Sequence, residues 1–471
     1  MTLADPTDRQ PDNRPTSRFA RRTERWSRRL AGLGRPAGLP LMAALWVIAP
    51  LMAIVPVRAA DAQFGQVAQF SDVMRPYFMA RDVRFFADEL QLDDDQNAIL
   101  QELFYDYQDG NDAGQSRLRD RFEGMKDEIA DIDQNDKEAV AALVMAPFIE
   151  QAEAQIEQKD AFLDTVKAIL NEEQRQLWPA FERALRREKE LPRGLFAGES
   201  VDLFTVVRQS DLDPVTAGTL QDTLDQYELD LDTVLAARER LDTENRPKLM
   251  GMLGTPGESS VQLVRDRVEA SKLVRDVNLQ FAETLASRLS GADSARFRQV
   301  YRELAFPSIV RPTAAQRILD RAVDIETLDE SDVAAVTGLI ASYRAEVGPI
   351  VEGMIRAQIA FDPIDEMQKA NQFVGRETND ARAEALRRDL SLARTERSDM
   401  DKRYMVSLQE ILTRSEFMSL PGATRFIDRT GEGLGTDAGQ APKDGGRANR
   451  IREAGTNSPV SGAPGRRGGR R

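Results

Sequence analysis

Cysteine and histidine are both absent from the 471 residues. Their absence removes disulfides, thiol nucleophiles, Cys/His zinc sites and a histidine general base, so a Ser-His-Asp triad is excluded. Carboxylates, lysine, tyrosine or an added cofactor would have to carry any chemistry. Aromatic residues make up only 6% of the chain, and the Val/Ile/Thr-rich runs that build strands are scarce. No P-loop glycine pattern and no dinucleotide fingerprint occurs. The expectation is a protein that is not an enzyme and holds no cofactor or metal.

What is abundant is helix-forming. Ala, Leu, Glu, Arg, Gln and Asp dominate, and 41% of the residues are hydrophobic against 30% charged. This composition predicts an all-α fold with enough apolar surface for a core. Charge is unevenly spread. Residues 1–62 hold ten arginines against five acids, a net +5, and residues 443–471 hold eight basic against two acidic residues, a net +6. The total is −14, which leaves −25 on residues 63–442. Such a body repels nucleic acid and anionic membranes and attracts basic partners.

The N-terminus predicts the compartment. An Arg-rich stretch precedes residues 39–57, LPLMAALWVIAPLMAIVPV, which carry no charge, and Ala60-Asp61-Ala62 follows as a small-x-small cleavage pattern. This is the layout of a secretory signal cut after Ala62, with Ala60 and Ala62 as the small residues of the site and a long positive leader. The alternative is an uncleaved anchor, because 19 apolar residues can just span a bilayer. The protein is therefore expected in the periplasm or cell envelope, free or anchored in the inner membrane. Membrane contact is expected only through residues 39–57, if they are retained.

One pattern recurs three times. Leu92-Asp93 is followed by Leu100, Phe104 and Tyr107; Leu212-Asp213 by Leu220, Leu224 and Tyr227; Leu328-Asp329 by Val336, Ile340 and Tyr343. The last three positions of each set share one helix face. Further on, Phe162, Val166, Leu170 and Trp178 share their spacing with Phe281, Leu285, Leu289 and Phe297, and with Tyr404, Leu408, Leu412 and Leu420. After Leu170, Leu289 and Leu412 stand Asn171, Ser290 and Thr413, all good N-caps, and three residues later Gln174, Asp293 and Glu416.

Each unit thus reads as a short lead helix, a cap, two long helices, a second cap and a closing helix. The expected organisation is a signal or anchor at 1–62, helical units at 63–195, 196–310 and 311–420 with about four helices each, and a disordered basic tail at 421–471. The long helices are expected to turn at DIDQND near Asp131, at GMLGTPGESS near Gly251 and at FDPID near Phe361, with local disturbance at Gly124 and Pro147.

The run Asp93-Asp94-Asp95 invites a metal, but its first member recurs as Asp213 and Asp329. An N-cap followed by a first turn that favours negative charge accounts for all three acids, and Gln96 can return a hydrogen bond to the cap. Tyr107, Tyr227 and Tyr343 lie on the leucine stripes and read as buried rings with a bonded hydroxyl, ahead of a peptide-binding row. Two calcium-like spacings fall short in ligands: Asp109, Asn111, Gly114 and Asp120 with Ala113 and Arg117 at ligand positions, and Asp131, Asp133 and Asn135 without the glycine or the closing glutamate. A helix face and a turn account for them.

Leu170-Asn171-Glu172-Glu173-Gln174 and Leu412-Thr413-Arg414-Ser415-Glu416 resemble the LTxxQ motif of Spy/CpxP-like periplasmic proteins, and Leu92-Asp93-Asp94-Asp95-Gln96 looks like its upstream copy. In physical terms the motif is a leucine anchor, an N-cap and a capping-box glutamine. The resemblance implies an exported all-helical protein of bent hairpins. Some members are ATP-independent chaperones, some restrain envelope-stress sensors, and some bind zinc, which a chain without histidine is not expected to do. Three fused units here would stand where members of the family pair as dimers. The expected role is to bind a protein client or envelope partner on an apolar stripe framed by acids. A membrane-anchored structural scaffold is the alternative, and carboxylate-based cation binding a lesser one.

Overall fold

The computed structural model describes residues 75–132, 136–252, 257–376 and 380–427. Every regular element among them is helical. The first repeat comprises α1 (Ala80–Leu90), α2 (Asp94–Asp131), α3 (Lys137–Ala168), α4 (Glu172–Arg175) and α5 (Trp178–Glu190), closed by a 3-10 turn at Leu191–Arg193. The second comprises α6 (Leu203–Gln209), α7 (Pro214–Thr219), α8 (Gln221–Met252), α9 (Glu258–Arg288), α10 (Gly291–Ala305) and α11 (Pro307–Val310). The third comprises α12 (Ala314–Ala322), α13 (Glu330–Phe373), α14 (Ala381–Ile411) and α15 (Arg414–Ser419), with a 3-10 turn at Ala423–Phe426. This is the expected order of lead helix, hairpin and closing helix. The 38 residues of α2 make a rod of about 57 Å.

The hairpins form because the repeated apolar positions face inward. Leu100, Phe104 and Tyr107, then Leu220, Leu224 and Tyr227, then Val336, Ile340 and Tyr343 are all buried. So are the partner sets from Phe162, Phe281 and Tyr404 onward. Helices α2 and α3 continue through Gly124 and Pro147.

One expected turn is displaced. The stretch FDPID around Phe361 does not break the third hairpin, since α13 runs through both Pro349 and Pro363. A proline deletes one helix hydrogen bond, but α13 is held to the core by Met354 and Ile355 and, one turn before Pro363, by the partly buried Ile359. The chain turns instead after Phe373, where Gly375 adopts φ +75° and Asp380 accepts the Arg382 N–H at 2.9 Å to start α14.

Packing divides the chain into two compact units. One holds the described residues up to Thr313 together with 341–400; the other holds 314–340 together with 401–427. In the first unit, α2 packs on α3 and α8 on α9, while α8 also lies against α3 and α5. Its rings gather in one aromatic core, with Phe78, Phe86, Phe162 and Phe181 among them. A larger core runs from Leu191 to Ile309 and takes in Met354 and Ile355. In the second unit, Ile318, Leu319, Met405, Leu408 and Phe417 are buried. The expected limit at 195/196 falls in the linker before α6, and that at 310/311 at the end of α11. Residues 421–427 extend the folded part, with Ala423 fully buried.

Among the described residues no helix is long and apolar enough to cross a membrane. The apolar segment 39–57, Ala60 and Ala62 of the cleavage pattern, and tail residues 428–471 lie outside them.

Candidate functional site

The caps of the first repeat build a joint. The Asp93 carboxylate accepts the Gln96 N–H at 2.8 Å, and the Gln96 side chain accepts the Asp93 N–H at 3.2 Å. Asn171 and Gln174 do the same at 2.9 and 3.0 Å. The two glutamine amides then bond each other in both directions, at 2.8 and 2.7 Å. Each also donates to the main chain ahead of the opposite cap: Gln96 to Ile169 O at 2.8 Å and Gln174 to Gln91 O at 3.0 Å. All four donors and acceptors of the capping boxes are satisfied, and Gln174 is buried.

The other copies keep three of their four caps and change the joint. Asp213 accepts the N–H groups of Val215 and Thr216, both at 3.0 Å, with Pro214 at the first helical position. Ser290 makes no side-chain cap bond, and Gly291 follows it at φ +49°. Asp329 accepts the Asp332 N–H at 2.9 Å. Thr413 forms a capping box with Glu416, and Glu416 accepts the hydroxyl of Thr327 at 2.6 Å. The leucines of the motif pack beneath: Leu170, Leu289 and Leu412 are buried, and Leu92, Leu212 and Leu328 are partly so.

The three tyrosines are inside and share one role. Tyr107 accepts the N–H of Tyr77 at 2.8 Å and of Phe78 at 3.3 Å. Tyr227 accepts the Leu203 N–H at 3.4 Å and donates to Asn278 at 2.9 Å. The Tyr343 hydroxyl lies 3.4 Å from that of Thr313. In each copy the ring reaches along the hairpin to the start of the lead helix. Burial pushes the Tyr107 and Tyr227 phenols up. The stripes that carry these rings are therefore core, the reading put ahead of a peptide-binding row.

A polar junction between the first and second repeats was not foreseen from the sequence. The peptide RREKELPRGLFAGES, residues 186–200, reads as a charged surface segment, yet much of it is buried. Glu199 is fully buried; its carboxylate pairs with the fully buried Arg238 and accepts the N–H of Leu195 at 2.7 Å and of Phe196 at 3.1 Å. Arg238 also donates to Glu190 O. Arg187 donates to Glu228 at 2.9 Å. Arg186 pairs with Asp232 and, at 3.0 Å, with Glu239, which Lys159 meets from α3 at 3.0 Å. Burial opposes the Glu239 charge, but Lys159 and Arg186 outweigh it and hold this carboxyl below the usual range. Burial lowers Lys189, whose partner is Asp82. The only signal in the sequence was a density of arginine and glutamate beside glycine, which does not separate a surface from a buried network.

A small cleft opens beside this junction, lined by Arg75, Tyr77, Lys159, Glu190, Arg193 and Glu239 among others. Four of its charges are already paired, Lys159 with Glu239 and Arg193 with Glu190 at 3.2 Å. Among the described residues no group of three or more acids is placed to hold a metal. Asp109, Asn111, Gly114 and Asp120 stand on the unbroken helix α2 rather than in a loop. Asp131 ends α2 and Asp136 caps α3 through the Ala139 N–H at 3.0 Å, while Asp133 and Asn135 lie outside the described residues.

No family model matches this chain, and no curated protein and no solved structure matches it.

Proposed function

We propose that this chain is an exported helical binding protein of the cell envelope that works without catalysis, through hairpins like those of Spy/CpxP proteins. The observation that carries this reading is the meeting of the two LTxxQ-like segments through Gln96 and Gln174. With the apolar stripes in the core, contact with a protein partner falls to the outer helix faces. The outer face of α2 exposes Asp95, Glu102, Asp106 and Asp109 beside Ile99 and Tyr105, which are 43% and 61% exposed. No lysine or arginine occurs between Arg84 and Arg117. Such a face attracts cationic segments bearing apolar side chains and repels nucleic acid.

The test is suppression of aggregation by the purified full chain, with one basic and one acidic client unfolded chemically. At near-stoichiometric ratio the basic client is expected to stay soluble, with the effect weakened by salt and by Ile99→Ser/Tyr105→Ser. No protection of either client removes the chaperone role. Fractionation with intact-mass measurement tests export: recovery from the cytosol with residues 1–62 attached overturns it. A membrane-anchored scaffold is the second reading, favoured by the buried ion network that fixes two repeats together. Membrane recovery with residues 39–57 retained and no client protection would support it instead.

A further inference from the structure

The first hairpin changes character along its length. Near the caps α2 and α3 are joined by rings, Phe104 and Tyr107 against Phe162. Beyond residue 110 buried amides take over. Asn111 and Gln151 are 2% and 6% exposed, yet Asn111 Oδ1 and Gln151 Nε2 have no hydrogen-bond partner, and neither has Gln158 Oε1. Asn111 Nδ2 is committed to Tyr107 O at 2.9 Å. Two glycines make room for these amides. A Cβ on Gly114 would stand 2.8 Å from the Gln151 amide, and one on Gly110 3.4 Å from that of Gln158.

Past this seam Leu118, Met145, Phe148 and Ala152 form a separate cluster with Phe122 and Ile149 partly buried against it, and Met125 is buried as well. The helices there are weakened too, by Gly124 in α2 and by Pro147 in α3. A buried polar atom without a partner penalises the closed state, and opening to water removes that penalty. Poor helix formers and unsatisfied amides together mark a locally weak segment.

We propose that the Gly110–Gly114/Gln151–Gln158 seam is a hinge, at which residues 118–125 of α2 part from residues 145–152 of α3 while the ring-packed half beside the caps stays closed. The motion is independent of whether the protein binds a client. Opening transiently exposes Leu118, Met145 and Phe148.

Hydrogen exchange on the full chain tests this. Amides at 118–125 and 145–152 are expected to exchange at least about tenfold faster than those at 100–107 and 162–168. In Gln151→Leu, which removes the unpaired amide, exchange of the distal set is expected to slow about fivefold or more, with the proximal set unchanged. Asn111→Leu should act in the same direction. Equal rates for the two sets in the unmodified protein overturn the hinge, and that comparison decides the matter even if a variant does not fold. Leucine variants that leave the distal rates unchanged also overturn it, because the seam would then be satisfied by fixed water.

Discussion

Removing the glutamine pair at the first cap joint should destabilise the first repeat in a way that reveals the pairing itself. Gln174 is buried and its amide takes part in four hydrogen bonds, with Asn171 N, Gln91 O and, twice, with Gln96. At about 1 kcal/mol net for each neutral bond, less what Gln96 recovers from water, Gln174→Ala is expected to cost about 3 kcal/mol. Gln96 is only half-buried, and its loss is expected to cost about 2 kcal/mol. The two shared bonds can be lost only once. The double variant should therefore fall short of additivity by about 1–2 kcal/mol. Trp178 reports on this joint: it is 4% exposed, begins α5 directly after α4, and belongs to the same aromatic core. In a Trp26→Phe/Trp46→Phe background it is the only tryptophan, so urea unfolding followed by its fluorescence reads the local transition. Coupling within about 0.3 kcal/mol of zero would refute the reasoning, because each cap would then be self-sufficient and the amide contact incidental.

Tyr107→Phe leaves the N–H groups of Tyr77 and Phe78 without their acceptor and should cost about 1–3 kcal/mol in the same urea assay; a silent substitution would mean the hydroxyl does not hold the lead helix. Arg238→Met strands the buried Glu199 carboxylate and should cost about 3–5 kcal/mol by thermal unfolding, whereas replacing both partners by apolar residues of similar volume should cost less. Glu239 has a folded-state pKa below its ordinary value of 4.5, so its contribution is complete above that pH and is lost as pH falls through the lower folded value. The difference in melting temperature between the unmodified protein and Glu239→Gln is accordingly expected to shrink on titration from pH 6 to pH 3, and a gap that widens on acidification would contradict the sign.

The hairpins were legible because each long helix announces itself twice, by the spacing of its apolar face and by the cap that starts it. Asp93, Asn171, Asp213 and Thr413 stand where a side-chain oxygen accepts the first free N–H groups, and local chemistry of that kind needs no knowledge of the rest of the chain. The turn at FDPID was misplaced because a proline was weighed by its local cost alone, while α13 runs on beside the burial of Met354 and Ile355. The junction around Glu199 was invisible for the same reason. Its partners lie on distant segments, Arg238 on α8 and Asn278 on α9, and Asn278 donates to Glu199 O at 2.7 Å. Nothing in the local sequence tells a buried arginine from an exposed one.

Substitution at the motif positions then has a chemical rule. In the first repeat the residue three after the second cap is glutamine, which both donates and accepts, and it donates to the carbonyl of Gln91, one residue before the motif leucine. In the third repeat that residue is Glu416, which can only accept, and the residue before the motif leucine is Thr327, which supplies a hydroxyl donor in place of the carbonyl. Position 96 has become Asp332, which as a carboxylate could not donate to Glu416 at all. The second repeat carries Thr216 and Asp293 at these positions and keeps the left-handed turn before the motif, with Asp211 at φ 52° matching Gln91 at φ 53°. Five of the six cap positions make a side-chain cap bond and Ser290 does not, while the bond between caps drifts; in the third repeat the Thr327 hydroxyl supplies a donor to the joint. An acid at position 416 is therefore tolerated because a threonine precedes Leu328, and an acid at position 174 would face the Gln91 carbonyl with nothing to donate.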